Sequence, residues 1–122
     1  MGAKPVRTSL IAIYSIFLGL AVLVLWAMIL SGDALPEGRT ELAFHLTSEL
    51  IMALAAIASG VLLLRGAAIA PAACAAAHAM VVYSTLNAAG YYAERGDTAV
   101  GLMMTALAIL SSLIALSQVR RR

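Results

Sequence analysis

The sequence contains few charged residues. Only 11% of its 122 residues are Asp, Glu, Lys or Arg, whereas 63% are hydrophobic. A water-soluble domain carries about a quarter charged residues, because its surface must be solvated. The composition therefore excludes an ordinary soluble domain and predicts that lipid surrounds most of the surface. The formal net charge of +2 is also too small for the basic surface typical of nucleic-acid binding, so no nucleic-acid partner is expected.

Cysteine is almost absent as well. The single cysteine, Cys74, lies inside an alanine-rich apolar run. The chain can therefore form no internal disulfide and contains no Cys-x-x-Cys redox or zinc motif. This excludes a mechanism like that of vitamin K epoxide reductases, which depends on such a motif. We interpret Cys74 as a small buried apolar residue.

Long apolar runs are what the sequence has instead. Each run is close to the roughly 20 residues that a helix needs to cross a bilayer. Four of them are bounded by Gly, Pro or charged residues: about 9–30, 41–64, 70–93 and 98–119. Their short connections make sequential helices antiparallel neighbours, and strands of a membrane barrel would instead alternate over about ten residues. The sequence predicts an all-α integral membrane protein with one domain, residues 1–122, folded as a four-transmembrane-helix up-down-up-down bundle.

Basic residues are unequally divided between the two ends of this bundle. One end, which holds both termini, carries six of the eight: Lys4, Arg7, Arg65, Arg120, Arg121 and Arg122. Arg39 and Arg95 lie at the other end. Cytoplasmic loops of membrane proteins are enriched in Lys and Arg, so both termini are predicted to be cytoplasmic. We expect contact with membrane lipid and, as the location, the plasma membrane of a prokaryote.

Acidic residues collect at the opposite, outer end, although they contribute little to topology. All six lie there: Asp33, Glu37, Glu41, Glu49, Glu94 and Asp97. At about 100° per residue, Glu41, His45 and Glu49 share one narrow face of the second helix. Ser48 lies on the same face, and small residues continue it inward. A face of this kind is predicted to point into the bundle and not toward lipid.

The third helix carries a second polar stripe. Its members lie within about 80° of one another around the helix: Tyr83, Asn87, Tyr91 and Glu94. His78 lies on the opposite face and is interpreted as a packed histidine. Aligning the two helices about their loop brings the stripes to matching depths: Glu49 with Asn87, His45 with Tyr91, Glu41 with Glu94. The sequence therefore predicts an outward-facing pocket with these ligand-binding candidates: His45, Glu49, Asn87, Tyr83, Tyr91, Glu41 and Glu94.

Glu49 is the member that is hardest to explain structurally. It lies about eight residues, or about 12 Å, inside the second span. An ionised carboxylate there costs a few kcal/mol, so it must be protonated, paired with His45, bound to a cation or reached by water. Ionisable residues within a membrane are functional candidates for this reason. We therefore expect the pocket to bind a cation or a small polar ligand, although no catalytic residue can be named.

The cation could be a divalent or transition metal ion. His45 and Glu49 have the i, i+4 spacing of metal ligands on one helix. Four methionines could add soft ligands for copper, although methionine is more often flexible packing: Met28, Met52, Met103 and Met104. A di-iron bundle needs repeated Glu-x-x-His motifs, and here the order is His-x-x-x-Glu, once.

Three other classes of function stay open. A proton-coupled small transporter would use Glu49 as its titrating group. The chain resembles the small multidrug transporters only in size, because their membrane glutamate is in the first helix and no acidic residue lies between Ser9 and Leu30. A membrane enzyme acting on a lipid or quinone is less favoured, since no nucleophile motif or cofactor fingerprint occurs. The fourth class is a structural subunit. A homo-oligomer is expected in each case, because so short a chain leaves little room for an enclosed pathway.

Overall fold

The computed structural model describes residues 4–32 and 38–121, and all of its regular structure is helical. Its four helices are Val6–Leu30 (α1), Arg39–Arg65 (α2), Ala70–Glu94 (α3) and Thr98–Val119 (α4). No strand occurs in these two ranges. The predicted all-α class is confirmed, and the helix ends lie within a few residues of the predicted spans. Three residues discussed above lie outside the described ranges: Asp33, Glu37 and Arg122.

Local sequence accounts for where the helices begin and end. Pro5, with φ of −54°, precedes α1. Because proline has no backbone N–H to donate, the helix does not extend to residues before it. Gly66 ends α2 in the left-handed conformation, with φ of 69°. Pro71 lies in the first turn of α3, where a missing N–H costs little. Asp97 caps α4, since its carboxylate accepts a hydrogen bond from the backbone N–H of Val100 at 3.2 Å.

Three of the four helices are long and apolar enough to cross a membrane, namely α1, α2 and α4. The remaining helix, α3, is long enough at 25 residues. It is less apolar because alanine replaces larger side chains over much of its length and because it contains Pro71, His78 and Asn87. The chain thus has the composition of a membrane protein, while the crossing of the membrane by α3 stays a prediction.

The helices form two compact units, Met1–Ala67 with α1 and α2 and Ala68–Arg122 with α3 and α4. Each unit is an antiparallel hairpin, which agrees with the short connections. In the first unit, the N-terminal half of α1 packs on the C-terminal half of α2, as the contact between Ala12 and Gly60 shows. In the second, the end of α3 packs on the start of α4, where Gly101 approaches Ala89.

The α1–α2 interface depends on two glycines. A Cβ added at Gly19 would lie 2.5 Å from the carbonyl oxygen of Ala53, and one at Gly60 would lie 2.6 Å from that of Ala12. Atoms do not approach so closely, so the absence of both side chains lets the helix backbones touch. Close packing of small residues is the main source of helix association where lipid is the solvent. Further small residues enclosed in the unit are Ser15, Ala56 and Ser59.

The α3–α4 interface is built around a buried histidine. His78 is fully enclosed, and its Nδ1 lies 3.2 Å from the hydroxyl oxygen of Ser111, which is enclosed as well. His78 is therefore a packed histidine bonded to the neighbouring helix. Cys74, one turn before it, is also completely buried. Gln118 lies farther along α4 with no exposed surface, and its Nε2 donates to the Ser117 hydroxyl at 3.1 Å.

Candidate functional site

Two ionisable side chains meet on α2 in the first unit. Nε2 of His45 lies 3.9 Å from Oε1 of Glu49, one helical turn farther on. The separation is too long for a direct hydrogen bond, so the two groups attract each other only while the imidazole is charged. The His45 side chain is 47% exposed and that of Glu49 is 15% exposed. The histidine is therefore the more exposed side chain of the pair, and the carboxylate is the more enclosed one.

Trp26 of α1 fixes one side of this pair. Its ring centroid lies 5.2 Å from that of His45, and the two ring planes meet at 83°, an edge-to-face arrangement. Aromatic rings favour this arrangement because the positive edge of one faces the negative face of the other. Trp26 is only 5% exposed. A buried ring thus packs against the more exposed His45, which the i, i+4 spacing already places on the same side of α2 as Glu49.

The other predicted residues of the α2 stripe do not join the pair. The Ser48 hydroxyl donates hydrogen bonds back to its own helix, to the carbonyl oxygens of His45 at 2.9 Å and Phe44 at 3.1 Å. Glu41 is exposed in the first turn of α2, where a carboxylate is stabilised by the helix dipole. The candidate site on this helix is therefore His45 and Glu49.

The predicted stripe on α3 is exposed within the second unit. Tyr83 is 75% exposed, and Asn87, Tyr91 and Glu94 are exposed as well. These side chains thus lie on the side of α3 that does not pack against α4. The meeting of the α2 and α3 stripes in one pocket stays a prediction.

Tyr91 has partners that the sequence analysis did not identify. The guanidinium carbon of Arg95 lies 3.5 Å from the centroid of the Tyr91 ring, a cation–π contact. The Arg95 Nη1 also donates to the Tyr91 carbonyl oxygen at 3.3 Å. Tyr92 meets the same ring edge-on, at 5.2 Å between centroids. The i, i+4 spacing of Tyr91 and Arg95 was the signal available for this contact.

Among the described residues, two candidate metal ligands lie close together, His45 and Glu49. In residues 4–32 and 38–121, no group of three or more His, Cys, Asp or Glu side chains is placed to hold a metal ion. A structural metal site normally has four protein ligands, and a catalytic zinc site has three. Of the methionines considered for copper, Met28 is 66% exposed, whereas Met52 is buried at 4%. A metal bound at His45 and Glu49 would need further ligands from elsewhere.

Comparison with known proteins identifies the family but no activity. A protein-family model described as a domain of unknown function, DUF8058, matches residues 6–122. The match covers nearly the whole chain, and the protein belongs to the DUF8058 family. No curated protein and no solved structure matches the chain.

Proposed function

We propose that the protein is an integral membrane protein that binds a small cation at the outer end of its α1–α2 unit. Glu49 supplies the opposite charge, His45 supplies a second donor atom, and Trp26 keeps the His45 ring in place. The observation that carries the proposal is the contact of 3.9 Å between His45 and Glu49 on a helix apolar enough to cross a membrane.

The energetics of Glu49 favour a bound cation. Its side chain is mostly enclosed, and an ionised carboxylate at this depth costs a few kcal/mol unless a positive charge compensates it. His45 at 3.9 Å provides that charge only when it is protonated. A cation bound between the two atoms would provide it while the imidazole is neutral, because a protonated Nε2 has no lone pair to offer. Tetrahedral zinc with bonds of about 2.0–2.2 Å holds its donor atoms about 3.4 Å apart. The His45 and Glu49 side chains would therefore have to move together by about 0.5 Å to bind zinc between them.

Trp26 adds order to the site without adding a ligand atom. The edge-to-face packing limits rotation of the His45 ring and leaves its Nε2 directed at Glu49. We therefore assign Trp26 a positioning role.

We further propose that α3 also crosses the membrane, with both termini cytoplasmic. Asn87 is exposed on α3 within its own unit. A carboxamide facing hydrocarbon would lose its hydrogen bonds, so protein or water must cover it in a membrane.

Trp26 provides the test, since the chain contains one tryptophan. Zn²⁺, Mn²⁺ and Na⁺ are titrated separately into the detergent-purified protein while Trp26 fluorescence is recorded. At least one cation should change the emission saturably, and Glu49→Gln should weaken that response at least tenfold. Glu41→Gln, an exposed carboxylate on the same helix, is the matched control and should respond almost like the wild type.

Two results would overturn the proposal. In the first, none of the three cations changes the Trp26 fluorescence, and equilibrium dialysis of the same ions detects no bound metal. In the second, Glu49→Gln shows the same change of fluorescence on cation addition as the wild type. If Glu41→Gln removes the fluorescence response as completely as Glu49→Gln does, the cations respond to the total negative charge of the protein. The response would then not report a site at His45 and Glu49.

A further inference from the structure

The end of the α1–α2 unit opposite Trp26 carries three basic residues. Lys4 and Arg7 flank the start of α1, and Arg65 is the last residue of α2. All three are exposed. Lys4 bends over the end of α2, because its Cε lies 3.7 Å from the point that a Cβ on Gly66 would occupy. The antiparallel hairpin thus gathers three cations from distant parts of the sequence.

No described carboxylate of this unit neutralises them. In its described part, residues 4–32 and 38–67, the acidic residues are Glu41 and Glu49. Both lie in the N-terminal half of α2. Glu49 precedes Arg65 by 16 positions, which is about 24 Å along the helix. Since an ion pair needs charged atoms within about 4 Å of each other, neither carboxylate neutralises the basic end.

Apolar side chains border the three cations directly. Val6, between Lys4 and Arg7, is 75% exposed, and Leu64, beside Arg65, is 41% exposed. Exposed apolar surface next to exposed cations suits a partner that carries both a phosphate and an acyl chain. Free phosphate or a nucleic acid would use only the charges.

We infer that Lys4, Arg7 and Arg65 form a binding surface for anionic phospholipids of the membrane. The inference rests on the proposed membrane insertion, but it does not depend on the cation site at His45 and Glu49. Arginine suits the partner because its planar guanidinium donates two parallel hydrogen bonds to a phosphate. Each Lys or Arg near an anionic membrane surface raises affinity about fivefold.

The experiment compares two lipids with identical acyl chains, phosphatidylglycerol and phosphatidylcholine. Each is titrated into the detergent-purified full-length protein, and bound lipid is counted by native mass spectrometry. We expect phosphatidylglycerol to bind at least fivefold more tightly. The triple variant Lys4→Gln/Arg7→Gln/Arg65→Gln should lose that preference while binding phosphatidylcholine unchanged. Because the protein is in detergent, altered membrane orientation of the variant cannot affect the result.

Two further variants serve as controls. Arg39→Gln/Arg95→Gln removes the two basic residues assigned to the other side of the membrane and should keep the preference. Arg7→Lys/Arg65→Lys preserves the charge and should keep most of it. If the triple variant does not fold, raising salt with the wild type should weaken phosphatidylglycerol binding and leave phosphatidylcholine binding unchanged, because screening acts only on the charged headgroup.

Several outcomes would contradict the inference: equal wild-type affinity for both lipids, a preference that survives in the triple variant, or its loss in Arg39→Gln/Arg95→Gln. Displacement of the lipid by glycerol phosphate at similar concentration would show that the surface selects phosphate alone and is not a lipid site. Repeating the titration with Glu49→Gln separates the two proposals. A retained lipid preference together with lost cation binding would show that they concern different ends of the unit.

Discussion

The two hairpins have the same architecture, yet their helices are joined differently. In the first, Gly19 and Gly60 let the backbones of α1 and α2 touch. The serines enclosed there donate to carbonyl oxygens of their own helices, Ser15 to Ile11 and Ser59 to Ala56. In the second, no glycine contact is as close, since a Cβ on Gly101 would lie 3.4 Å from its nearest neighbour. A buried side-chain contact, His78 to Ser111, joins α3 to α4 instead.

The surfaces of the helices differ as well. A helix that packs through small residues can use large apolar side chains on the rest of its surface, as α1 does with Leu10, Phe17 and Val24. On α3, polar residues occur both inside the hairpin, at His78, and on its exposed side, at Asn87. The second hairpin therefore carries polar residues on two sides of one helix.

The largest effect on stability is expected from the glycines of the first hairpin. Gly19→Ala or Gly60→Ala should lower the free energy of unfolding by about 1–3 kcal/mol, because the new methyl group overlaps a backbone carbonyl. Gly90→Ala is the matched control. It is also in a helix, but nothing lies within 4 Å of its Cβ position. Alanine favours helix by up to about 1 kcal/mol, so the control should be neutral or stabilised. Thermal unfolding followed by circular dichroism measures all three.

If Gly19→Ala and Gly90→Ala change stability equally, the close approach of α1 and α2 does not hold in solution. The proposed difference in how the two hairpins are joined would then be wrong.

A smaller effect is expected from the polar contact of the second hairpin. Hydrogen bonds between membrane helices contribute about 0.6 kcal/mol on average, with a maximum near 1.7. A double-mutant cycle with His78→Ala and Ser111→Ala should give a coupling energy in this range. Ser112→Ala is the control, since its hydroxyl donates to the Ala108 carbonyl of its own helix. A coupling energy of zero would show that packing alone joins α3 to α4.

Sequence reasoning identified the features of this fold that depend on one helix at a time. Apolar length gave the helix positions, and the i, i+4 spacing gave the pair His45 and Glu49. It did not identify Trp26 as the partner of His45. That contact depends on how α1 is rotated against α2, and the close contacts at Gly19 and Gly60 set this rotation. The pattern of one helix alone does not contain this information. For the same reason, the predicted alignment of α2 with α3 depends on packing that no helical wheel contains.

The smallest effect on stability is expected where the proposed function lies. Glu49→Gln should leave the free energy of unfolding unchanged or raise it by up to about 1 kcal/mol, because the variant removes the cost of an enclosed charge while keeping the shape. Thermal unfolding without added cation measures this. Under the same conditions Gly19→Ala should be clearly destabilised. A strongly destabilised Glu49→Gln would mean that the carboxylate supports the fold of the first hairpin. Unchanged stability together with lost cation binding would mean that Glu49 serves the ligand and that the first hairpin holds its shape without this carboxylate.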